Sequence, residues 1–258
     1  MKITLLGTGT SVGIPSLGQL GWGKCDPTNP KNKRQRCSVL IQSDNTNILV
    51  DAGPDIKNQL IDHNLNELHG VILTHEHSDH ISGLDELRPF YFPKQQKLNI
   101  YTDNRTANFV NNRYNYLFEK DKNSQSYFKP PMKLNIINYY DEINIDGVKI
   151  KTIKQHHGVI DTIGLIVNDQ FGYCTDVVNF PENSFNQLKN LDVLVITGLR
   201  SRPHIAHAHF ELTFKWLNIL KPKMAYLTHL SPDSDHEYVQ SICPKNVEPG
   251  YDNLSFVI

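Results

Sequence analysis

The stretch Leu73–Leu87, LTHEHSDHISGLDEL, places three histidines and an aspartate within six consecutive positions, directly after a short apolar run. Imidazole suits zinc and its first-row neighbours, and a carboxylate adds an anionic oxygen that can hold or bridge a cation. Side chains alternate along an extended segment, so His75 and His77 point the same way and can grip one ion. Asp79 and His80 then reach elsewhere as the chain turns into a helix. A chance grouping of polar residues on a solvated turn is the bland alternative, and the position of the cluster at the end of a buried strand argues against it. The spacing favours two metals over one.

Outward from this stretch, apolar runs repeatedly stop at a polar residue. Lys2–Leu6 reads as a first strand ending in the glycine turn GTGTSVG, and Ile14-Pro15 makes helix entry there unfavourable. Residues Cys37–Gly53 read as a β-hairpin with Asp51 closing its second arm. GVILTH, FGYCTD, LDVLVITG and MAYLTH are further strand candidates, ending at His75, Asp176, Gly198 and His229. In HFELTFKWLNIL, Phe210, Phe214, Leu217 and Leu220 recur at helical spacing. Alternating strands and helices with both termini in strands predict a layered α/β fold. Between residues 103 and 132 the composition shifts to Asn, Tyr, Phe and Lys with little periodicity, which predicts an irregular, lid-like insertion over the core and not a second domain.

The chain has 258 residues, 39% hydrophobic and 21% charged, enough for one large domain spanning 1–258 with a substantial core. A formal net charge of -1 provides no global field to attract nucleic acid or an anionic membrane, so a nucleic-acid partner is not expected. The four cysteines, Cys25, Cys37, Cys174 and Cys243, show no C-x-x-C spacing, which fits a reducing compartment. MKITLLGTG is too short for a signal peptide, and no segment approaches the roughly 18 apolar residues of a membrane span. A cytoplasmic protein without membrane contact is expected.

HEHSDH, with Asp51 upstream in ILVDAG, resembles the H-x-H-x-D-H signature of the metallo-β-lactamase-fold hydrolases. KITLLGTGTS, QHHG, YCTD and YLTH fall in the order that family uses, so the likeness covers most of the chain. Within it, the sequence is most similar to the phosphoribosyl 1,2-cyclic phosphate phosphodiesterase-like family. The resemblance implies a four-layer αββα sandwich. It further implies that His75, His77 and His157 hold one divalent ion, zinc or manganese, that Asp79, His80 and His229 hold a second, and that Asp176 bridges them. His157 is preferred to His156 because it immediately precedes Gly158. Asp51 is expected to orient a ligand imidazole or the glycine turn, with plain turn capping as the alternative.

In SRPHIAHAHFEL, His207 matches the position of a histidine that faces the substrate phosphate, whereas His204 and His209 are expected to be partly exposed residues near a helix start. The implied catalytic set is therefore His207, Asp79 and Asp51. The implied reaction is attack by water held between two ions on a small or cyclic phosphodiester. Ribonuclease Z-like processing of transfer RNA, thioester hydrolysis of glyoxalase II type, and metal binding without catalysis are the rivals. A homodimer is compatible with all of them.

Three other signals carry less. GTGTSVG has G-x-G-x-x-x-G spacing and a proline where a helix should run, which speaks against dinucleotide binding; its glycines are expected to let the turn pass close to the metal site. Lys31, Lys33, Arg34 and Arg36 in KNKRQRC are expected to form a solvated turn. The early loop keeps only Cys25 of the cysteine cluster with which the resembled family binds a third, structural zinc, so no such ion is expected here.

Overall fold

The computed structural model describes residues 1–119 and 129–258. One seven-stranded sheet is built from β1 (Lys2–Gly7), β2 (Ser38–Ser43), β3 (Thr46–Val50), β4 (Gly70–Ile72), β5 (Leu98–Thr102), β6 (Met132–Ile136) and, at its edge, β14 (Leu254–Val257). A second contains β7 (Glu142–Ile145), β8 (Val148–His157), β9 (Ile160–Val167), β10 (Phe171–Cys174), β11 (Val193–Thr197), β12 (Met224–Thr228) and β13 (Val247–Pro249), in spatial order 13-12-11-10-9-8-7. Helices α1 (Ile56–Ile61), α2 (Ser78–Ile81), α3 (Asn104–Arg113) and α4 (Asn115–Phe118) follow strands of the first sheet. Helices α5 (Glu182–Gln187), α6 (Phe210–Leu220) and α7 (His236–Ile242) follow strands of the second.

The side-chain alternation of the strands produces the layers. Ile3, Leu5, Val39, Ile41, Ile48, Val50 and Ile72 meet Val193, Val195, Leu165 and Tyr173 between the sheets. The intervening Leu6, Leu40, Leu49 and Val71 face α1 to α4, while Leu194 and Ile196 face α5 to α7. Each sheet is covered on both faces, which is why its strands read as unbroken apolar runs. The outcome is the αββα sandwich. α6 buries Phe210, Thr213, Trp216, Leu217 and Leu220, and Lys221 ends it in the left-handed region at φ 49°.

Two expectations are corrected. The stretch 103–132, read as irregular, carries α3 and α4 over its first part: Asp103 caps α3 by accepting from the Thr106 amide, and Ala107 and Val110 face the core. Residues 120–128, where a lid was also expected, lie outside the described residues. KNKRQRC is solvated only in part: Lys31 and Lys33 are exposed, whereas Arg36 is half-buried and Arg34 is enclosed. Arg34 is 1% exposed, with Nη1 donating to the Ser234 carbonyl at 2.9 Å; Asn32 is fully buried, and Arg36 Nε pairs with Asp55 at 3.1 Å. Gly7 belongs to this arrangement, since a Cβ there would stand 2.0 Å from the Arg36 carbonyl oxygen. The first glycine turn thus runs beside the Arg34–Arg36 segment and also beside Leu230, the neighbour of His229: the Thr10 amide donates to the Leu230 carbonyl at 3.3 Å and the Leu230 amide donates to the Thr8 carbonyl at 2.9 Å.

Candidate metal centre

β3, β4 and β5 run parallel, as do β10, β11 and β12, so their carboxyl ends share one edge of the sandwich, where α/β folds collect functional loops. Asp51 follows β3, the HEHSDH segment follows β4, and Asp176 lies two residues beyond β10. The loop after β11 carries His207, His229 directly follows β12, and His157 ends β8 on the same side. Asp51, Asp176 and His229 adopt left-handed φ values of 62°, 54° and 57°. For residues other than glycine each costs about 1 kcal/mol or more, a strain the surrounding sheets must hold.

The structure brings all seven expected ligands together, and His207 with them. Their ligand atoms form four overlapping groups, each within 4.8 Å: His75–His77–His157, His75–His80–Asp176, Asp79–His80–His229 and His157–Asp176–His207. Asp176 faces both halves. Its Oδ2 lies 3.2 Å from His80 Nε2 and 3.3 Å from His229 Nδ1, and its Oδ1 lies 3.8 Å from His157 Nε2 and 3.6 Å from His207 Nδ1. Close packing of the Asp51 loop on α2 needs a glycine, because a Cβ at Gly53 would lie 2.0 Å from the Asp79 carbonyl oxygen.

Fixed partners on the far side of two rings decide which nitrogen faces inward. Asp51 Oδ2 accepts from His80 Nδ1 at 2.7 Å, so His80 turns Nε2 toward Asp79 and Asp176. The Ala206 carbonyl accepts from His157 Nδ1 at 2.7 Å, leaving Nε2 a lone pair 3.3 Å from His77 Nδ1. His75 Nε2 and His80 Nε2 are buried without a hydrogen-bond partner. Orphaned imidazole nitrogens converging on carboxylates are what a pair of divalent ions would satisfy, so the donor set fits the metals the resemblance implies.

The electrostatics carry the same mark. Burial opposes charge on His80, yet Asp79, Asp176 and Asp51 outweigh it and hold the ring well above the ordinary imidazole value. Burial pushes His75 far down, with His80 adding to it. Burial would raise Asp176, but His229 and His80 keep it well below the usual carboxylate range. Burial pushes His207 down to about 2, reinforced by His229, so its ring is neutral. That ring stacks on His229 at 4.6 Å between centroids, and its Nδ1 has no hydrogen-bond partner.

The neighbouring histidines separate cleanly. His156 faces away, with Nδ1 2.7 Å from Asp161 Oδ1. His209 occupies the N-cap position of α6, but its ring makes no capping bond. His204 is half-buried, its ring 5.0 Å from that of His207. Sequence reasoning passed over the threonines. Thr74 donates its amide and hydroxyl to Asp51 at 2.8 and 2.9 Å, and Thr175 Oγ1 donates to Asp176 Oδ2 at 2.6 Å. Thr228, before His229, lies 3.3 Å from Cys37 Sγ. A threonine directly preceding His75, Asp176 and His229 in LTH, CTD and LTH was the available signal.

Two packed sheets with this histidine and aspartate nest on their shared edge define a metallo-β-lactamase-fold hydrolase. A family model described as a beta-lactamase superfamily domain matches residues 46–230, and the chain belongs to that family. It is 29% identical over 261 residues to an octanoyltransferase of Porphyromonas gingivalis, covering 100% of this chain and 52% of that protein. It is 25% identical over 143 residues to a ribonuclease Z of Sulfolobus acidocaldarius, covering 54% of this chain and 44% of that one. The chain thus spans about half the length of the curated relatives it matches. Among solved structures, a diphosphatase from the PhnP family superposes with a TM-score of 0.88 at 28% identity, over 99% of this chain and 97% of that chain.

Proposed function

We propose that the protein hydrolyses a phosphodiester or diphosphate linkage in a small substrate, using two divalent ions, zinc or manganese. The observation that carries this reading is His207, whose unpartnered Nδ1 stands beside Asp176 at the edge of the nest, where a substrate oxygen would arrive. The likeness to a diphosphatase over nearly the whole of both chains supports a phosphoryl substrate.

His75, His77 and His157 would hold one ion, Asp79, His80 and His229 the other, and Asp176 both. Bound there, the ions supply the positive charge that acidifies a water and offsets charge on the phosphoryl oxygens. Asp51 and Thr74 hold His80 in one tautomer and one orientation, and the Ala206 carbonyl does the same for His157. His207, neutral when the site is free, offers a ring N–H to a phosphoryl oxygen or to the departing one. No serine or cysteine nucleophile is called for. Cys37, the thiol nearest the nest, is fully enclosed and pushed up to about 12 by burial.

The test is hydrolysis of bis-(p-nitrophenyl) phosphate by protein loaded with zinc or manganese. Turnover that His77→Ala abolishes is the expected result; two bound ions without turnover on this ester, or on a diphosphate, overturns the reading in favour of metal binding alone. A second reading, thioester hydrolysis, draws on the octanoyltransferase relative and on two apolar side chains near the centre. Val159 and Ile205 are 101% and 89% exposed, and they flank Gly158 and Ala206, which pack together. Faster turnover of octanoyl-coenzyme A than of either phosphoryl ester would select it.

A further inference from the structure

The segment that carries His75, His77, Asp79 and His80 also carries an acid that the two-ion reading leaves unused. Glu76 is 8% exposed, enters none of the four ligand groups, and lies between two ligand histidines. We propose that Glu76 is a positioning residue: gripped by the first turn of α3, it fixes the backbone between His75 and His77 so that both rings meet one ion. That role rests on the two-ion reading above and assigns Glu76 a part in holding the ion of His75, His77 and His157.

The main chain shows where other support stops. Up to Thr74 the segment is tied from several sides. The Leu73 amide donates to the Tyr101 carbonyl at 2.9 Å, the Leu73 carbonyl accepts from Thr102 Oγ1 at 2.9 Å, and the Thr74 carbonyl accepts from the Ile163 amide at 3.0 Å. From His77 onward it is tied again, the His77 carbonyl accepting from the His80 amide at 3.0 Å as α2 begins. Between these ties, neither the amide nor the carbonyl of His75 or Glu76 makes a hydrogen bond among the described residues. Ring direction at His75 and His77 therefore depends on what holds the Glu76 side chain.

That side chain leaves the segment on the face opposite the two rings, as alternation along extended chain requires, and meets α3. Arg105 Nε donates to Glu76 Oε1 at 2.7 Å, and Thr106 Oγ1 reaches Oε2 at 3.5 Å. A carboxylate taken out of water needs such donors, and a charge-assisted bond this short is a strong one. The acid also stands at the amino end of a ten-residue helix, where free amides favour negative charge. α3 is itself fixed: Asp103 accepts from the Thr106 amide at 2.7 Å and from the Tyr139 hydroxyl at 3.1 Å, and Val110 enters the core.

His77 depends on this grip most. The other four ligand rings each have a partner outside the ion sites. Thr74 Oγ1 lies 3.0 Å from His75 Nδ1, Asp51 Oδ2 2.7 Å from His80 Nδ1, the Ala206 carbonyl 2.7 Å from His157 Nδ1, and Cys37 Sγ 3.6 Å from His229 Nδ1. His77 is exposed, and its one hydrogen-bonding contact among the described residues runs from Nδ1 to His157 Nε2, itself a nitrogen for the same ion. The backbone at Glu76 is left to aim the ring.

The experiment is stepwise titration with cobalt(II), read by absorption, of the unaltered protein, Glu76→Ala, Glu76→Gln and Arg105→Ala. The step that His77→Ala removes identifies the ion of His75, His77 and His157. Glu76→Ala is expected to weaken that step about 10- to 100-fold and the other less than about threefold, whereas a merely structural loss would weaken both alike. Glu76→Gln, which keeps an acceptor for Arg105, should recover part of the loss, and Glu76→Ala/Arg105→Ala should bind no more weakly than Glu76→Ala. Arg105 is more than half exposed, so Arg105→Ala gives the same reading if Glu76→Ala does not fold. Unchanged affinity, equal weakening of both steps, or additive losses overturn the assignment. If the unaltered protein takes up no cobalt, the two-ion reading has failed by itself. Backbone amide relaxation measured by NMR on the metal-free protein then decides: greater mobility at His75 to His77 in Arg105→Ala supports positioning by Glu76, and no change overturns it.

Discussion

The two sheets furnish the site in opposite ways. The first contributes five residues from two loops, Asp51 after β3 and His75, His77, Asp79 and His80 within six positions after β4. The second contributes His157, Asp176, His207 and His229 from four separate connections. A short contiguous segment supplies four of the first sheet's five residues through local geometry, with Asp51 from the neighbouring loop orienting His80. The other half exists only if four strands hold their register, and two of its residues, Asp176 and His229, also sit in left-handed backbone. The first half is built by chain proximity and the second by packing, so the two should fail differently.

The most severe break is expected at Asp176, whose two oxygens face both halves. Asp176→Ala should lower the metal content measured by mass spectrometry below two ions per chain and reduce kcat/KM about 10³-fold or more. Retention of two ions would show that the halves bind independently. Leu227→Ala comes next, removing a fully buried side chain from beneath the loop that carries His229. A loss of about 2–5 kcal/mol in urea denaturation is expected, and loss of the ion at Asp79, His80 and His229 before the other would sharpen the contrast between the sheets.

A gentler change on the first sheet is Asp51→Asn, which keeps the shape but weakens the acceptor behind His80. Metal affinity or activity should fall about 10- to 100-fold, with the thermal midpoint of the metal-loaded protein moving less than for Leu227→Ala. The smallest effect concerns Asp252, which ties the loop after β1 to the start of β14 by accepting from Thr8 and Gln35. Burial raises its carboxyl from 3.8 to about 7 against those donors. A folded value above the unfolded one makes its contribution complete below about pH 4 and lost as pH rises through about 7. The thermal midpoint of Asp252→Asn should accordingly decline less between pH 5 and 8 than that of the unaltered protein.

Much of this architecture is legible in the order of residues. The strands that lead to Asp51, His75, Asp176 and His229 and the helix Phe210–Leu220 are all present, although β4 stops at Ile72 and β10 at Cys174, short of the expected ends at His75 and Asp176; the apolar runs were readable because both faces of each sheet are buried and hydrophobicity reports burial directly. α3 and α4 were missed because Asn and Arg dominate Asn104–Arg113 and blur its apolar stripe, leaving the Asp103 cap as the main local signal. Arg34 was misread for a related reason: a guanidinium in a basic run looks solvated until the Ser234 carbonyl, 200 positions away, is seen to receive it.

By itself the sequence determined the layered α/β class, the family resemblance, and the histidine and aspartate inventory of the site, since strand burial, turn chemistry and metal softness are properties of residue types at short spacing. Only the tertiary structure decided that Asp176 faces both halves, that His157 and not His156 turns inward, and that His207 stands beside Asp176 with its Nδ1 unpartnered among the described residues. Those outcomes depend on the direction of a side chain and on which donor reaches which acceptor across distant loops. Such relations are fixed by packing between the sheets and appear nowhere in the local order of residues.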